Sequence, residues 1–315
     1  MKKYLIKAIS VFTFLNLFTN IQAQQDAQYT QYMYNPQVIN PAYAGSREVL
    51  SIVGLHRNQW VGVNGAPRTN TLSVHSPMGS IERVGLGASV VNDEIGPLDE
   101  TYASIDFSYS IPTKAGHHFN FGIKGTAQII NIDFNKLRIY DPTEVEYANS
   151  VNNSVNPNVG IGAYYYTDKF YLGLSVPQLL ETEQLDRDAL ATNDQALSSQ
   201  DRINYYLLAG YVIDLSSDVK FKPALMTKMV LGAPLQVDFS TNFLINEKLT
   251  LGAAYRWDAA ISFMAGFQLS DGLMIGMGYD YETTEIQEFN NGSYEIMLRF
   301  ELYRKLSRII TPRFF

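Results

Sequence analysis

The sequence predicts an all-β protein, an antiparallel up-and-down transmembrane β-barrel of about 14 strands, and three observations predict it. A secretion signal opens the chain, amphipathic strand segments run from about residue 48 to residue 302, and their connections alternate between short and long. In the segment 101–111, every odd position from Ala103 to Ile111 is apolar, whereas the even positions carry Tyr, Ser and Asp. Such period-2 patterning is typical of a strand with one apolar and one polar face.

The first element is a secretory signal peptide, predicted over residues 1–23. Residues 1–7 form a basic n-region with three lysines, and residues 8–18 form an apolar stretch that is too short to cross a bilayer. Ala23 supplies a small residue for cleavage. We therefore expect the mature chain to begin at Gln24. No later stretch approaches the ~20 apolar residues that a spanning helix requires, so strands would have to cross the membrane.

The second element is an N-terminal leader, residues 24–46, which we expect in the periplasm. Its tyrosines are large, amphipathic side chains of the type that anchors interfaces, and Asn-Pro and Ala-Gly pairs mark turns between them. Two compatible interpretations stay open: an ordered leader folded against the barrel mouth or into its lumen, and a docking site for a protein partner. The candidate docking residues are Tyr29, Tyr32, Tyr34, Asn35, Asn40, Pro41, Tyr43 and Gly45, with Trp60 for the external surface.

The barrel is predicted over residues 47–303. The strand candidates are 48–57, 69–76, 83–92, 100–111, 118–130, 157–167, 170–176, 203–213, 218–228, 235–243, 248–256, 259–269, 273–282 and 293–302. Connections after even-numbered candidates are all brief, whereas those after odd-numbered candidates include every long one. Because bacterial barrels have short periplasmic turns and longer external loops, this parity places both chain ends in the periplasm, below an outer membrane.

The polar faces of these strands carry charges of both signs. The basic residues are Lys124, Lys220, Lys222, Lys228, Arg256 and Arg299, and the acidic ones are Asp106, Asp238, Asp280, Glu282, Glu295 and Glu301. An Arg or Lys facing lipid at mid-membrane costs about 2–4 kcal/mol, so the charges should line the lumen. Mixed signs favour a paired, partly closed interior over a selective pore.

A soluble β-sandwich is the alternative fold, because it also buries one face of each strand. The even number of strand candidates, the parity of loop lengths and the abundance of Tyr (21) and Phe (17) favour the barrel. Pro223 is a local objection, because a proline inside a strand removes a hydrogen-bond donor from the ladder.

No motif in the sequence indicates an enzyme, a cofactor site or a metal site. The pair His75-Ser76 lacks a nucleophile motif, and His117-His118 lacks a third ligand at useful spacing. Three Gly-x-Gly pairs, beginning at Gly85, Gly160 and Gly276, lie within strands, where relief of crowding is a better interpretation than a phosphate loop. The net charge of −7 argues against a nucleic-acid partner.

Four pieces of sequence together resemble a known family. They are the leader QYTQYMYNP followed by NPAYAG, the loop Arg57-Asn-Gln-Trp60 leading to Gly65-Ala-Pro-Arg-Thr69, the strand Tyr294-Glu-Ile-Met-Leu298, and the terminus Pro312-Arg-Phe-Phe315. This chain is similar to the PorP/SprF family of the Bacteroidetes type IX secretion system, although Pro-Arg-Tyr-Phe is the commoner terminus there.

The resemblance implies a non-enzymatic outer-membrane barrel that supports export or surface attachment of a large adhesin with a C-terminal sorting domain, including gliding adhesins. The implied partners are periplasmic components of the secretion system, the adhesin and outer-membrane lipid. The tail 304–315, with Arg304, Lys305 and Arg308, is expected in the periplasm, either bound to a partner or solvated. The alternative function is a general or ligand-specific outer-membrane porin or uptake channel.

Overall fold

The computed structural model describes residues 27–78, 83–114, 116–133, 136, 151–181 and 202–302, and its strands form one antiparallel sheet. The strands are β1 (Leu50–Asn58), β2 (Arg68–Met78), β3 (Val84–Ile95), β4 (Leu98–Pro112), β5 (His118–Ile132), β6 (Val151–Tyr166), β7 (Phe170–Val176), β8 (Asn204–Tyr211), β9 (Ile213–Asp214), β10 (Val219–Val230), β11 (Gln236–Ile245), β12 (Leu249–Arg256), β13 (Ala260–Ser270), β14 (Leu273–Glu282) and β15 (Ser293–Leu302).

Apart from β8 and β9, consecutive strands pair with each other, and β1 pairs with β15, so the sheet closes into a barrel. Strands β8 and β9 share one position in the wall, because both pair with β10 and only Val212 separates them. The wall therefore has 14 strand positions, which confirms the predicted fold class.

The predicted strand positions agree with the observed ones except at β6, which begins at Val151 and not near residue 157. Pro223 lies in β10, where it pairs with Thr241 of β11. On the other side of β10 the paired residues are Phe221 with β9 and Ala224 with β8, so Pro223 faces the interruption between those strands. The missing N–H of the proline thus falls where the ladder is already broken.

The barrel is apolar outside and polar inside. Ile105, Ile123 and Phe263 are 71%, 60% and 58% exposed on the outer face, whereas Asp106 and Lys124 of the same strands are buried in the lumen. A single closed sheet with this inverted distribution excludes the sandwich, because the apolar faces contact no second sheet. Within the described ranges, no helix has the length and apolar character needed to cross a bilayer.

Residues 27–46, which we call the luminal segment, run through the interior of the barrel. The segment contains three single-turn 3-10 helices, Tyr32–Tyr34, Pro36–Val38 and Pro41–Tyr43, and nearly all of it is buried. We call the end of the barrel where β1 meets β2 the long-loop end, and the opposite end the short-turn end.

The luminal segment spans the barrel from one end to the other. Gln28 contacts Arg256, the last residue of β12, at the long-loop end. Arg47, just beyond the segment, pairs with Glu301 near the end of β15, at the short-turn end. The chain therefore enters the described structure at the end opposite to Leu302. The prediction that both termini lie on the short-turn side stays a prediction, because the termini, with the predicted signal peptide and the tail 304–315, lie outside the described residues.

Candidate functional site

The filled lumen is the candidate functional site, and its long-loop half is held by buried charges. The backbone N–H groups of Thr30 and Gln31 each donate to Glu295, over 2.9 Å. The Thr30 hydroxyl donates to Asp280 over 2.8 Å, and Arg57 pairs with Asp280 over 2.7 Å. Because a buried carboxylate is stable only when paired and hydrogen-bonded, the segment completes a network that the wall alone leaves incomplete.

A second charged group, on the nearby strands β11 and β12, holds the start of the segment. Arg256 of β12 pairs with Asp238 of β11 over 3.0 Å and donates to the Gln28 side chain over 2.9 Å. The Tyr32 hydroxyl lies 3.2 Å from the Ser240 hydroxyl on the same strand as Asp238. The segment is thus bonded to β11 and β12 as well as to β14 and β15.

Gln37 fixes the middle of the luminal segment. Its side-chain amide donates to the backbone oxygens of Val74 and Ala88, over 3.1 and 3.2 Å, and to Asp106 over 3.0 Å. Asp106 also pairs with Lys124 over 3.0 Å. One side chain of the segment therefore contacts β2, β3 and β4 together.

Asn40 performs the same role for the adjoining strands β5 to β7. Its amide N–H groups donate to the backbone oxygens of Ala163 and Leu174, over 3.1 and 3.4 Å, and its side-chain oxygen accepts from the Ala42 N–H over 3.0 Å. Asn120 of β5 donates to the Ala42 carbonyl over 3.1 Å. Asn40 thus caps the 3-10 helix Pro41–Tyr43 and bonds it to β6 and β7.

The short-turn half is closed by backbone contacts. The Ser108 hydroxyl donates to the carbonyl of Ala44 over 2.6 Å, and the N–H of Gly45 donates to Nδ1 of His75 over 3.1 Å. The ring of His75 also packs edge-on against Tyr43, with the ring centroids 5.4 Å apart. His75, which lacks a nucleophile motif in the sequence, here holds the end of the segment.

Tyrosines of the luminal segment form an apolar core with the wall. Tyr43 packs edge-on against Tyr164 of β6, with the ring centroids 5.4 Å apart. The Tyr34 ring lies between two cations, with Lys222 Nζ 5.5 Å and the Arg299 guanidinium 5.6 Å from its centroid. Such cation–π contacts favour an aromatic ring at a position lined with positive charge.

Glycines of the wall create the space for the segment. A Cβ atom at Gly85 would lie 2.1 Å from the carbonyl oxygen of Ala44, and one at Gly162 would lie 2.1 Å from the side-chain oxygen of Asn40. Gly87, Gly122 and Gly276 approach the segment equally closely. Sequence reasoning correctly favoured relief of crowding for the Gly-x-Gly pairs but did not identify the segment as the crowding partner. The glycines on the polar faces of strands were the available signal.

The structure separates the predicted docking residues into two places. Tyr29, Tyr32, Tyr34, Asn35, Asn40, Pro41 and Tyr43 are buried in the lumen, and Gly45 is half-buried at its short-turn end. A partner cannot reach the buried ones while the segment occupies the lumen, so their part in docking to another protein stays a prediction. Trp60 lies apart from them at the long-loop end, half-buried, and its indole N–H donates to Glu282 over 3.1 Å.

A cavity remains between the luminal segment and the wall. On the side of β3 to β8, a cavity of about 80 Å³ is lined by Tyr29, Ile39, Tyr102, Lys124 and Tyr206, among others. One water molecule requires a cavity of roughly 10–15 Å³ on this scale, so the cavity has room for a few waters.

Solved structures similar to this chain share little sequence identity with it. The Acinetobacter baumannii outer membrane protein Omp33 matches with 9% identity and a TM-score of 0.46, covering 81% of this chain and 98% of that one. A Pseudomonas aeruginosa FadL homologue matches with 11% identity and a TM-score of 0.45, covering 86% and 94%. The KdgM porin matches with 9% identity and a TM-score of 0.40, covering 80% and 99%.

No curated protein matches the chain in sequence. The profile of the family described as "Type IX secretion system membrane protein PorP/SprF" matches residues 21–300, which include every strand except the last two residues of β15. The protein is therefore an outer-membrane β-barrel that belongs to the PorP/SprF family of the type IX secretion system.

Proposed function

We propose that this barrel is a closed, non-enzymatic accessory component of type IX secretion, which supports export or surface attachment of a large adhesin with a C-terminal sorting domain. The observation that carries the proposal is the luminal segment, which is bonded to the wall from the long-loop end to the short-turn end. A barrel closed by its own chain is suited to anchoring and presenting partners at its two ends.

The energy of the luminal segment argues against the porin alternative. Burying a large side chain stabilises by about 1.5–3 kcal/mol, so Tyr29, Tyr32, Tyr34 and Tyr43 together contribute on the order of 6–12 kcal/mol. A state 6 kcal/mol above the ground state is populated at about one part in 10⁴. Spontaneous withdrawal of the segment would therefore be too rare to support general diffusion.

The two ends of the barrel offer different surfaces to partners. In bacterial barrels the longer loops face outward, so the long-loop end, with Trp60, would face the adhesin. The short-turn end, where Leu302 leads into the tail, would face the periplasmic components of the secretion system. Both proposed contacts, with the adhesin and with the periplasmic components, require that the long-loop end faces outward, and both are wrong if the barrel has the opposite orientation.

Deletion of the gene tests the secretion role. We expect the cognate adhesin to be lost from the cell surface and retained inside the cell, and display to return when the wild-type gene is restored. Surface proteolysis and fractionation measure the adhesin, while detergent sensitivity and display of an unrelated outer-membrane protein serve as controls. Normal adhesin display in the deletion strain would refute the role.

Single-channel recording tests the porin alternative separately. Purified full-length protein in a planar lipid bilayer should give no stable conductance steps, because the segment occupies the lumen. Regular steps of one size from most inserted molecules would contradict the closed barrel and would favour a channel.

A further inference from the structure

The connection between β1 and β2 folds into a cup at the long-loop end. The cup encloses about 330 Å³, and Asn58, Trp60, Asn64, Arg68 and Glu94 contribute its largest polar and aromatic side chains. Its volume lies within the range of ~300–1,000 Å³ that is usual for small-molecule sites. Small residues of the loop form the rest of the lining.

The cup is held in shape by backbone hydrogen bonds to the neighbouring connections. The N–H of Val61 donates to the Gly292 carbonyl over 2.9 Å, and the N–H of Asn291 donates back to the Val61 carbonyl over 2.7 Å. On the other side, the N–H of Gly96 donates to the Gly65 carbonyl over 3.0 Å. A site fixed in this way before binding loses little entropy when a ligand arrives.

Trp60 is fixed in an unusual conformation within the cup. Its φ of 47° lies in the left-handed region, which is costly for a bulky residue, and its indole N–H is bonded to Glu282. Its backbone N–H also donates to the Ser293 hydroxyl over 3.1 Å. Backbone strain of this kind persists where the surroundings enforce it, which is common at ligand sites.

Four polar side chains of the cup have free hydrogen-bonding groups. Among the residues that the structure describes, Asn58, Asn64, Arg68 and Glu94 make no side-chain hydrogen bond or ion pair. Arg68 and Glu94 face each other across β2 and β3 as register partners. The cup therefore presents donors and acceptors beside Trp60, and its formal charges cancel.

We propose that this cup binds a sugar residue of a neutral glycan. A pyranose ring offers hydroxyl groups that both donate and accept, which matches the amides, the guanidinium and the carboxylate, and its C–H face suits an indole ring. Glycan binding by the cup requires the outward orientation of the long-loop end but not the secretion role, so either role can fail without the other.

Other ligand classes fit the cup less well. An extended peptide binds most often by adding a strand to an open sheet edge, but the wall is closed and both backbone groups of Val61 are already bonded. A phosphate or another anion would be opposed by the carboxylate of Glu94, which lies opposite Arg68.

Tryptophan fluorescence of the full-length protein tests the proposal. The chain has two tryptophans, so W257F leaves Trp60 as the single indole reporter. W257F protein, in a detergent without a sugar headgroup, is applied to an array of neutral mannose, glucose, galactose and N-acetylglucosamine oligomers. An oligomer that binds the protein on the array is then titrated into W257F protein in solution. We expect saturable binding with a change in Trp60 emission, and loss of binding by about threefold to tenfold in N64A and in R68A.

Matched controls make the outcome decisive. Asn64 and Arg68 are exposed, so their substitution should leave the folded barrel intact, as heat-modifiable migration on a gel will confirm. N70A, an exposed change on β2 outside the cup, should bind like the parent. The proposal is overturned if no neutral oligomer binds, if N64A and R68A bind as tightly as N70A, or if an extended peptide competes fully with the oligomer.

Discussion

Replacing Asn40 by alanine should lower the free energy of unfolding by about 2–4 kcal/mol, because three hydrogen bonds end on this one fully buried side chain. The two bonds to the carbonyls of Ala163 and Leu174 contribute about 0.5–1.5 kcal/mol each. The bond to the Ala42 N–H caps a 3-10 helix, and loss of a cap costs about 1 kcal/mol. Urea unfolding in lipid vesicles, followed by tryptophan fluorescence, measures the change.

Asn40→Asp distinguishes this explanation from simple loss of volume. Aspartate has nearly the same shape and still accepts from Ala42, but it loses the two donors and directs a buried negative charge at two carbonyl oxygens. We therefore expect Asn40→Asp to be less stable than Asn40→Ala. Asn64→Ala, an exposed control whose side chain makes no hydrogen bond within the described residues, should change the stability by less than about 0.5 kcal/mol. If Asn40→Asp is as stable as the wild type, Asn40 does not bond the segment to the wall.

Three further predictions follow from the same geometry. Gly85→Ala should impair folding, since its Cβ would lie 2.1 Å from a backbone oxygen, whereas Gly54→Ala meets nothing within 4 Å and should fold normally; refolding yield in vesicles compares them. Arg57→Ala should cost about 3–5 kcal/mol, because it leaves buried Asp280 and Glu295 without their cation, and equal urea midpoints for variant and wild type would contradict this. An epitope tag placed just after Ala23 should be accessible from the same side of the membrane as a tag in a long loop. A C-terminal tag should be accessible only from the other side, and protease protection of the three tags in intact cells measures this.

The wall of the barrel could be predicted from the sequence because its signals are local. A lipid-facing strand repeats an apolar residue at every second position, and this pattern located β14 and β15 at their observed bounds. The pattern weakens where a strand continues past its apolar stretch. Residues 151–156 include three asparagines, which have low strand propensity, yet they extend β6 because they pair with β5.

The interior of the barrel could be predicted only in part, because its contacts are non-local. The sequence indicated inward-facing charges of both signs, and pairs such as Lys124 with Asp106 are present. The path of the leader has no period to reveal it, however. Tyr34 contacts Lys222 and Arg299, and nothing near Tyr34 in the sequence indicates either residue. A buried tyrosine and a docking tyrosine have the same local signature, so both interpretations of the leader had to stay open.

Barrel width gives a physical reason for a luminal segment. In a barrel of about 8 strands the wall side chains alone fill the interior, whereas barrels of about 16–18 strands leave an aqueous channel. A wall of 14 positions lies nearer the second case, so the space must be filled by water or by another part of the chain. Here glycines on the inner face widen that space where the segment passes, and charges of the wall bond to it. Residues 27–46 therefore act as the core of this barrel. Substitutions there should first be tested for effects on folding, and only variants with wild-type stability can report on docking.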